Sequence, residues 1–159
     1  MLEIGCGGGA NVARLLALCP DGRVIGVDYS EISVEKSRNF NAEAIAAGRC
    51  RVERANVQEL PFANCSFDLA TAFETIYFWP DLKEAFAQVC RVLKKGGQFF
   101  ICNEVDGDDP ADYEMEKKVS GLRIYREQEI RELLEEAGFS EITVYRDGNK
   151  RWICFLAVR

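Results

Sequence analysis

Four glycines fall within five positions, Gly5, Gly7, Gly8 and Gly9, between a short run Leu2-Glu3-Ile4 and a helical pattern that starts at about Ala10 and recurs through Leu15, Leu16 and Leu18. That arrangement predicts the end of a buried strand turning tightly into a helix. Glycine suits the turn twice over. It tolerates φ > 0, and without a Cβ it lets a ligand lie against the backbone beside the donor-rich helix N-terminus. The spacing fits a G-x-G-x-G loop and the G-x-G-x-x-G/A loop of dinucleotide sites equally well, and a purely structural turn is the third possibility.

The next strand narrows the choice. The helix should stop near Cys19, because Pro20 cannot continue it and Asp21-Gly22 forms a turn. Arg23 to Val27 then reads as a strand with Asp28 at its carboxyl end, about twenty positions past the glycines, where a carboxylate can accept ribose hydroxyls. A helix-capping role for Asp28 is the plain alternative, but Ser30 is better placed to cap the helix from Glu31. That helix is expected to run to about Ala47, with Gly48 following it.

Strand and helix signals alternate through the rest of the chain. Cys50 to Arg54 reads as a third strand, followed by the loop Ala55 to Phe62. Ser66 to Phe73 is a fourth strand, and Glu74 to Pro80 is an aromatic loop in which Tyr77, Phe78 and Trp79 cannot all point inward. Apolar positions 82, 85, 86, 89, 92 and 93 mark a helix that Lys94 and Lys95 should end and Gly96-Gly97 should break. Gln98 to Asn103 is a fifth strand, apolar enough for burial on both faces. Asp106 to Glu116 reads as an acidic surface loop entering a short helix, or as a substrate lid. A helix over Glu127 to Glu136 precedes strands Glu141 to Arg146 and Arg151 to Val158, joined by Asp147-Gly148-Asn149-Lys150, a turn short enough to demand antiparallel pairing. The pattern is a single α/β domain, a Rossmann-like doubly wound sheet, mostly parallel.

Composition sets the exclusions. With 159 residues and 48% hydrophobic side chains, one domain with a sizeable core is expected. A net charge of -6 disfavours nucleic acid as the partner and favours a small molecule. Seven cysteines, at 6, 19, 50, 65, 90, 102 and 154, include no C-x-x-C, and no histidine completes a metal set, so no metal site is expected and free thiols in a cytoplasmic setting are. Their spacing gives no sign that several converge. No apolar run approaches the length of a membrane span. Without histidine, acid–base work falls to carboxylates, tyrosine, lysine or cysteine.

From Leu2 to Val158 these signals, taken in order, resemble the class I S-adenosylmethionine-dependent methyltransferases, within them the UbiE-like or type 11 group. Glu3 to Gly9 resembles the first motif of that family, Gly26-Val27-Asp28-Tyr29-Ser30 the second, Asn56 to Phe62 the third, Ser66 to Leu69 the fourth, and Val92-Leu93-Lys94-Lys95-Gly96-Gly97 its helix-to-strand junction. The resemblance implies a sheet order 3-2-1-4-5-7-6 with strand 7 antiparallel, and S-adenosylmethionine as cofactor. It implies that Gly5, Gly7 and Gly9 approach the methionine part, that Glu3 meets its amino group, and that Asp28 takes the ribose. Tyr29 would pack on one adenine face, Asn56 and the Val57 N–H would read the adenine edge, and Phe73 and Glu74 would lie beside the sulfonium. An Asn at 56, where an Asp is commoner, still offers an acceptor oxygen without charge.

Methyl transfer from a sulfonium needs in-line positioning and exclusion of water more than it needs a base. If the acceptor arrives protonated, Tyr77, Glu104 and Asp106 are the candidates on the substrate side. No [DN]-P-P-[YF] follows the fourth strand, and Cys19-Pro20 reverses the Pro-Cys order of cytosine-C5 enzymes, which disfavours DNA bases as acceptors. Family members usually carry a helical segment and a full first strand ahead of the position of Leu2, so the domain, residues 1–159, is expected to be N-terminally short. Two rivals stay open: a catalytically inactive cofactor-binding or partner-binding module, and a NAD(P)-dependent oxidoreductase.

Overall fold

The computed structural model describes residues 1–147 and 150–159; the central pair of the Asp147 to Lys150 turn, Gly148 and Asn149, lies outside them. Seven strands, β1 (Leu2–Ile4), β2 (Val24–Asp28), β3 (Cys50–Arg54), β4 (Phe67–Phe73), β5 (Leu93–Asn103), β6 (Ser140–Arg146) and β7 (Ile153–Val158), form one sheet in the order β3-β2-β1-β4-β5-β7-β6. β1 to β5 pair in parallel, and β7 runs antiparallel to both β5 and β6, as the sequence implied.

Helices α1 (Ala10–Leu18), α2 (Glu31–Phe40), α3 (Ala42–Ala46), α4 (Leu82–Val92), α5 (Pro110–Lys118) and α6 (Glu127–Glu136) connect the strands. One face of the sheet sends Leu2, Ile4, Val27, Ala70, Phe99, Ile101 and Phe155 into a core shared with Phe86 and Val89 of α4 and Ile130 and Leu134 of α6. The other face, over β2 and β3, packs Val24, Cys50 and Val52 against Val12, Leu15 and Leu16 of α1 and Val34 of α2. Register places Glu3, Gly26 and Thr71 on this second face, continued across β4, β5 and β7 by Phe73, Cys102 and Cys154. α1 and α2 lie over β2 and β3, so side chains farther along this face, such as Phe100 and Leu156, stay half-buried.

Most boundaries fall within two residues of expectation, β7 beginning at Ile153 and not Arg151, but two differ by more. The helix from Glu31 does not run unbroken to Ala47; it stops at Phe40, and Asn41 breaks it before α3. Asn41 is buried, and its side-chain amide donates to the carbonyls of Gly9 and Ser37, both at 3.0 Å, so a tertiary bond to the glycine turn outweighs local helix propensity. β5 begins at Leu93, so Lys94 and Lys95 belong to a strand and do not end the helix. Leu93 pairs with Phe67, the Lys94 Nζ reaches Asp68 at 2.7 Å, and Gly96 and Gly97 exchange backbone bonds with Arg159.

Candidate cofactor and substrate site

The crevice opens where β1 and β4 lie side by side and their following helices leave toward opposite faces, the position at which open α/β sheets bind ligands. Its floor is the turn from Gly5 to Gly9. Gly5, Gly7 and Gly9 have φ of 76, 50 and 91°, which only glycine adopts without strain. A Cβ on Gly5 would stand 2.1 Å from Thr75 Oγ1, and one on Gly9 would stand 2.5 Å from Asn41 Nδ2. Gly7 and Gly8, in contrast, have open space above them. The turn is thus clamped at both ends by its own protein and free in the middle.

Two carboxyl groups, those of Asp28 and Glu3, lie near the start of the turn, close enough for both to act on Cys6. Asp28 is turned toward the glycines: its Oδ2 accepts from Gly7 N–H and its Oδ1 from Ser30 N–H, both at 2.9 Å. A carboxylate offers about four lone-pair positions, so each oxygen keeps one for a hydroxyl donor. Ser30 does cap α2, accepting from Ser33 N–H, which leaves Asp28 for the crevice. Glu3 is fully buried; the Thr71 hydroxyl bonds its Oε2, while Oε1 has no hydrogen-bond partner. Burial pushes the Glu3 carboxyl up to about 8, against the opposing pull of Thr71 and Asn11. A buried, unpartnered carboxylate oxygen beside an open backbone cradle is what an ammonium group would satisfy.

The remaining residues named from the sequence fall around this frame. Tyr29 follows Asp28 with 75% of its surface exposed, leaving a ring face free for stacking. Asn56 is exposed and its Oδ1 already accepts from Gln58 N–H at 3.0 Å, in a turn closed by the Asn56–Glu59 bridge; Val57 is buried beneath it. The Asn56 oxygen is therefore fixed in place by its own loop. Phe73 lies half-buried with its ring 5.7 Å from that of Phe100.

Glu74, Tyr77 and Glu104 come together at the carboxyl ends of β4 and β5. Glu74 has φ of 55°, and its N–H donates to the Cys102 carbonyl. Its side chain opens to solvent on one side, yet burial on the other, reinforced by the charge of Glu104, raises its carboxyl to about 7; the Glu104 N–H and Tyr77 oppose that rise. Tyr77 is buried, accepts from Val105 N–H at 3.2 Å, and is shifted well above the usual phenol range by burial and by Glu74. Asp106 pairs with Arg146 at 3.2 Å and Arg151 at 3.4 Å. Of the three consecutive aromatics, Tyr77 and Trp79 turn inward and Phe78 stays 48% exposed.

The acidic segment is not simply solvated. Asp109 caps α5 by accepting from Ala111 N–H, and buried Asp112 pairs with Arg151, tying α5 to the segment that leads into β7. Four contributors had no distinctive sequence signal: Thr71, Thr75, Asn41 and the cysteine pair Cys102–Cys154. The cysteines stand 52 positions apart but directly opposite on β5 and β7, with sulfurs 2.9 Å apart. Among the described residues no group of three or more His, Cys, Asp or Glu is arranged to hold a metal, and no helix is long and apolar enough to cross a membrane.

Comparison with known proteins agrees with this geometry. The O-methyltransferase cnsE of Penicillium expansum is 29% identical over 147 residues, covering 91% of this chain and 53% of that protein. The 24-methylenesterol C-methyltransferase 2 of rice, Oryza sativa subsp. japonica, is 31% identical over 150 residues, covering 87% and 40%. The chain thus spans about half the length of the curated relatives it matches. The crystal structure of geranyl diphosphate C-methyltransferase from Streptomyces coelicolor A3(2) superposes with a TM-score of 0.88 at 15% identity, covering 99% of this chain and 68% of that one, which speaks to the fold. A family profile described as methyltransferase domain matches residues 2–101, the stretch that carries the glycine turn, Asp28, Asn56 and Glu74. The chain belongs to that methyltransferase-domain family.

Proposed function

We propose that residues 1–159 form one S-adenosylmethionine-binding domain that transfers a methyl group to a small-molecule acceptor by in-line displacement. The observation that carries this reading is the open stretch of the glycine turn, with the unpartnered Glu3 Oε1 and Asp28 near its start. When bound, the cofactor supplies an electrophilic methyl on a sulfonium. The chain's own residues hold it and prepare the acceptor. Glu3, ionised by the arriving ammonium, would take the amino end over Gly5, Gly7 and Gly9. Asp28 would take the ribose hydroxyls, Tyr29 would stack on the adenine, and Asn56 and Val57 would border its edge. Phe73 and Glu74 would stand beside the sulfonium.

Glu74 is the acceptor-side group best suited to remove a proton. Its carboxyl titrates near neutrality, so at pH 7 it is substantially ionised yet basic enough to accept. Glu104 raises it and Tyr77 orients it. The net charge of -6 and seven free cysteines fit an uncharged or cationic metabolite and a cytoplasmic setting, and neither nucleic acid nor a membrane as partner.

The test is thermal shift. S-adenosylhomocysteine is expected to raise Tm and NADH is not, and Asp28→Ala is expected to abolish the shift. A shift with NADH alone, or an unchanged S-adenosylhomocysteine shift in Asp28→Ala, would overturn the assignment. Binding without any methylated product from a metabolite panel would instead favour an inactive cofactor-binding module.

A further inference from the structure

We propose that Cys102 and Cys154 form a reversible dithiol–disulfide couple that staples β5 to β7 at the substrate end of the sheet. The two residues are register partners on adjacent antiparallel strands. Partners of this kind have Cα atoms about 4.5–5.5 Å apart, inside the window of about 4.4–6.8 Å that a disulfide spans, so closure needs only rotation of the side chains. The sulfurs are 2.9 Å apart, nearer than two unbonded thiols rest comfortably. Both side chains are half-buried, on the sheet face that α1 and α2 leave open, where a small disulfide can reach them.

What sets the pair apart is its partner. Cys19 and Cys90 are half-buried as well, Cys6 and Cys50 are buried, and Cys65 is exposed and faces the Arg159 guanidinium at 3.2 Å, but only Cys102 and Cys154 among the described residues have sulfurs in contact with each other.

The chemistry is thiol–disulfide exchange with a low-molecular-weight disulfide such as oxidised glutathione. The Cys154 thiolate attacks one sulfur, forming a mixed disulfide and expelling one glutathione thiolate. The Cys102 thiol then loses its proton to solvent and attacks the Cys154 sulfur, expelling the second glutathione. Two protein thiols are oxidised, one glutathione disulfide is reduced to two thiols, and the overall change is balanced. Cys102 suits the second, intramolecular step: burial, the neighbouring thiol and the carboxylates of Glu74 and Glu104 push its pKa up to about 12, so it is slow to meet an external partner.

The position gives the couple a consequence. The Cys102 carbonyl accepts the Glu74 N–H at 3.0 Å, so closing the staple fixes the strand that holds Glu74 in its φ of 55°. This inference concerns the fold itself and does not depend on the methyl-transfer reading.

The experiment treats the whole chain with oxidised glutathione and follows intact mass, tryptic peptides and Tm. The expected product carries no adduct on Cys102 or Cys154, links the peptide spanning 96–117 to that spanning 152–159 with loss of two hydrogens, and melts about 5–10 °C higher, reversed by dithiothreitol. Cys65→Ser should behave as the parent. Cys102→Ser should trap one glutathione on Cys154, and Cys154→Ser should form no intramolecular link. Separate glutathione adducts on both Cys102 and Cys154 of the parent chain, or a pair left reduced while the urea-unfolded chain reacts, would overturn the proposal.

Discussion

Replacing Glu3 by Gln should make the protein more stable at neutral pH while disarming its crevice. In the folded chain the Glu3 carboxyl keeps its proton up to about pH 8, against 4.5 when unrestrained. A group with a raised folded-state pKa contributes its stability below the unfolded value and loses it as pH rises through the folded one. Between pH 4.5 and 8 the unfolded chain has released this proton and the folded chain has not, so wild-type stability falls with rising pH. The slope approaches about 1.4 kcal/mol per pH unit, which brings the loss to about 3 kcal/mol at pH 7 and about 4 kcal/mol at pH 8. Gln is nearly the same shape, can still accept from Thr71, and does not titrate. The difference between variant and parent cancels every other titrating group, Glu74 included.

Urea unfolding at pH 5, 6, 7 and 8, followed by tryptophan fluorescence, reads that difference directly. The two proteins should be nearly equal at pH 5 and diverge steadily above it, with Glu3→Gln the more stable. The same variant should lose most of its thermal shift with S-adenosylhomocysteine, because a neutral amide cannot pair with the ammonium. Curves that run parallel from pH 5 to 8 would refute the buried, protonated state of Glu3. A variant that binds as tightly as the parent would refute its role at the amino end.

Three further outcomes follow from the same geometry. Glu74→Gln should lower methyl transfer by about a hundredfold to ten-thousandfold toward a protonated acceptor and remove the rising limb that the parent shows up to about pH 7, with cofactor binding retained; an unaltered pH–rate profile would exclude Glu74 as the base. Asn41→Ala removes two buried bonds, to Gly9 and Ser37, and should cost about 1–3 kcal/mol in urea unfolding and weaken cofactor binding together; a loss of stability with affinity intact would separate Asn41 from the turn. Arg151→Met leaves the buried Asp112 without its cation, so amide exchange should accelerate in α5 while β4 and β5 keep their protection, and uniform exchange would show that the ion pairs do not anchor α5.

Much of this molecule could be read from local signals, and the remainder depended on tertiary ones. β3 was legible to the residue because Cys50 to Arg54 alternates buried and exposed positions between turn residues. The place of Asp28 at the carboxyl end of β2, with Ser30 taking the cap, was legible, but its bonds to the Ser30 and Gly7 N–H groups were not. The break at Asn41 was not, since every residue from Glu31 to Ala47 is compatible with helix and the deciding partner, the Gly9 carbonyl, is 32 positions away. The start of β5 at Leu93 was hidden in the same way, because Lys94-Lys95-Gly96-Gly97 is a good helix ending unless Phe67 and Arg159 claim its backbone. Convergence of Cys102 and Cys154 follows only from the register of two strands that no spacing rule connects. The hydroxyl of Tyr77 was visible in the sequence but its tie to Val105, 28 positions away, was not.

The irregularities of the chain are not spread evenly, and their distribution argues for where the chemistry lies. β1 is followed by a helix on one face of the sheet and β4 by a helix on the other, so nothing that immediately follows either strand closes the gap between them. Into that gap fall a buried carboxyl with an unpartnered oxygen at Glu3 and a glycine, Gly5, whose φ of 76° and contact with Thr75 exclude any other residue. Glu74, one of three non-glycine residues with positive φ among those described, also lies there, at the carboxyl end of β4; the other two are Cys65 and Glu141. Two of these features cost stability, by about 1–3 kcal/mol for a non-glycine residue held at positive φ and by a similar amount for a buried carboxyl that must keep its proton or leave an oxygen unpartnered. A fold that spent such strain at random would show it in the α4 and α6 core as well, where Phe86, Phe99, Ile101 and Leu134 pack without a polar atom among their side chains. Its concentration beside one open glycine turn is the pattern expected when a bound group, absent from the folding problem itself, completes the site.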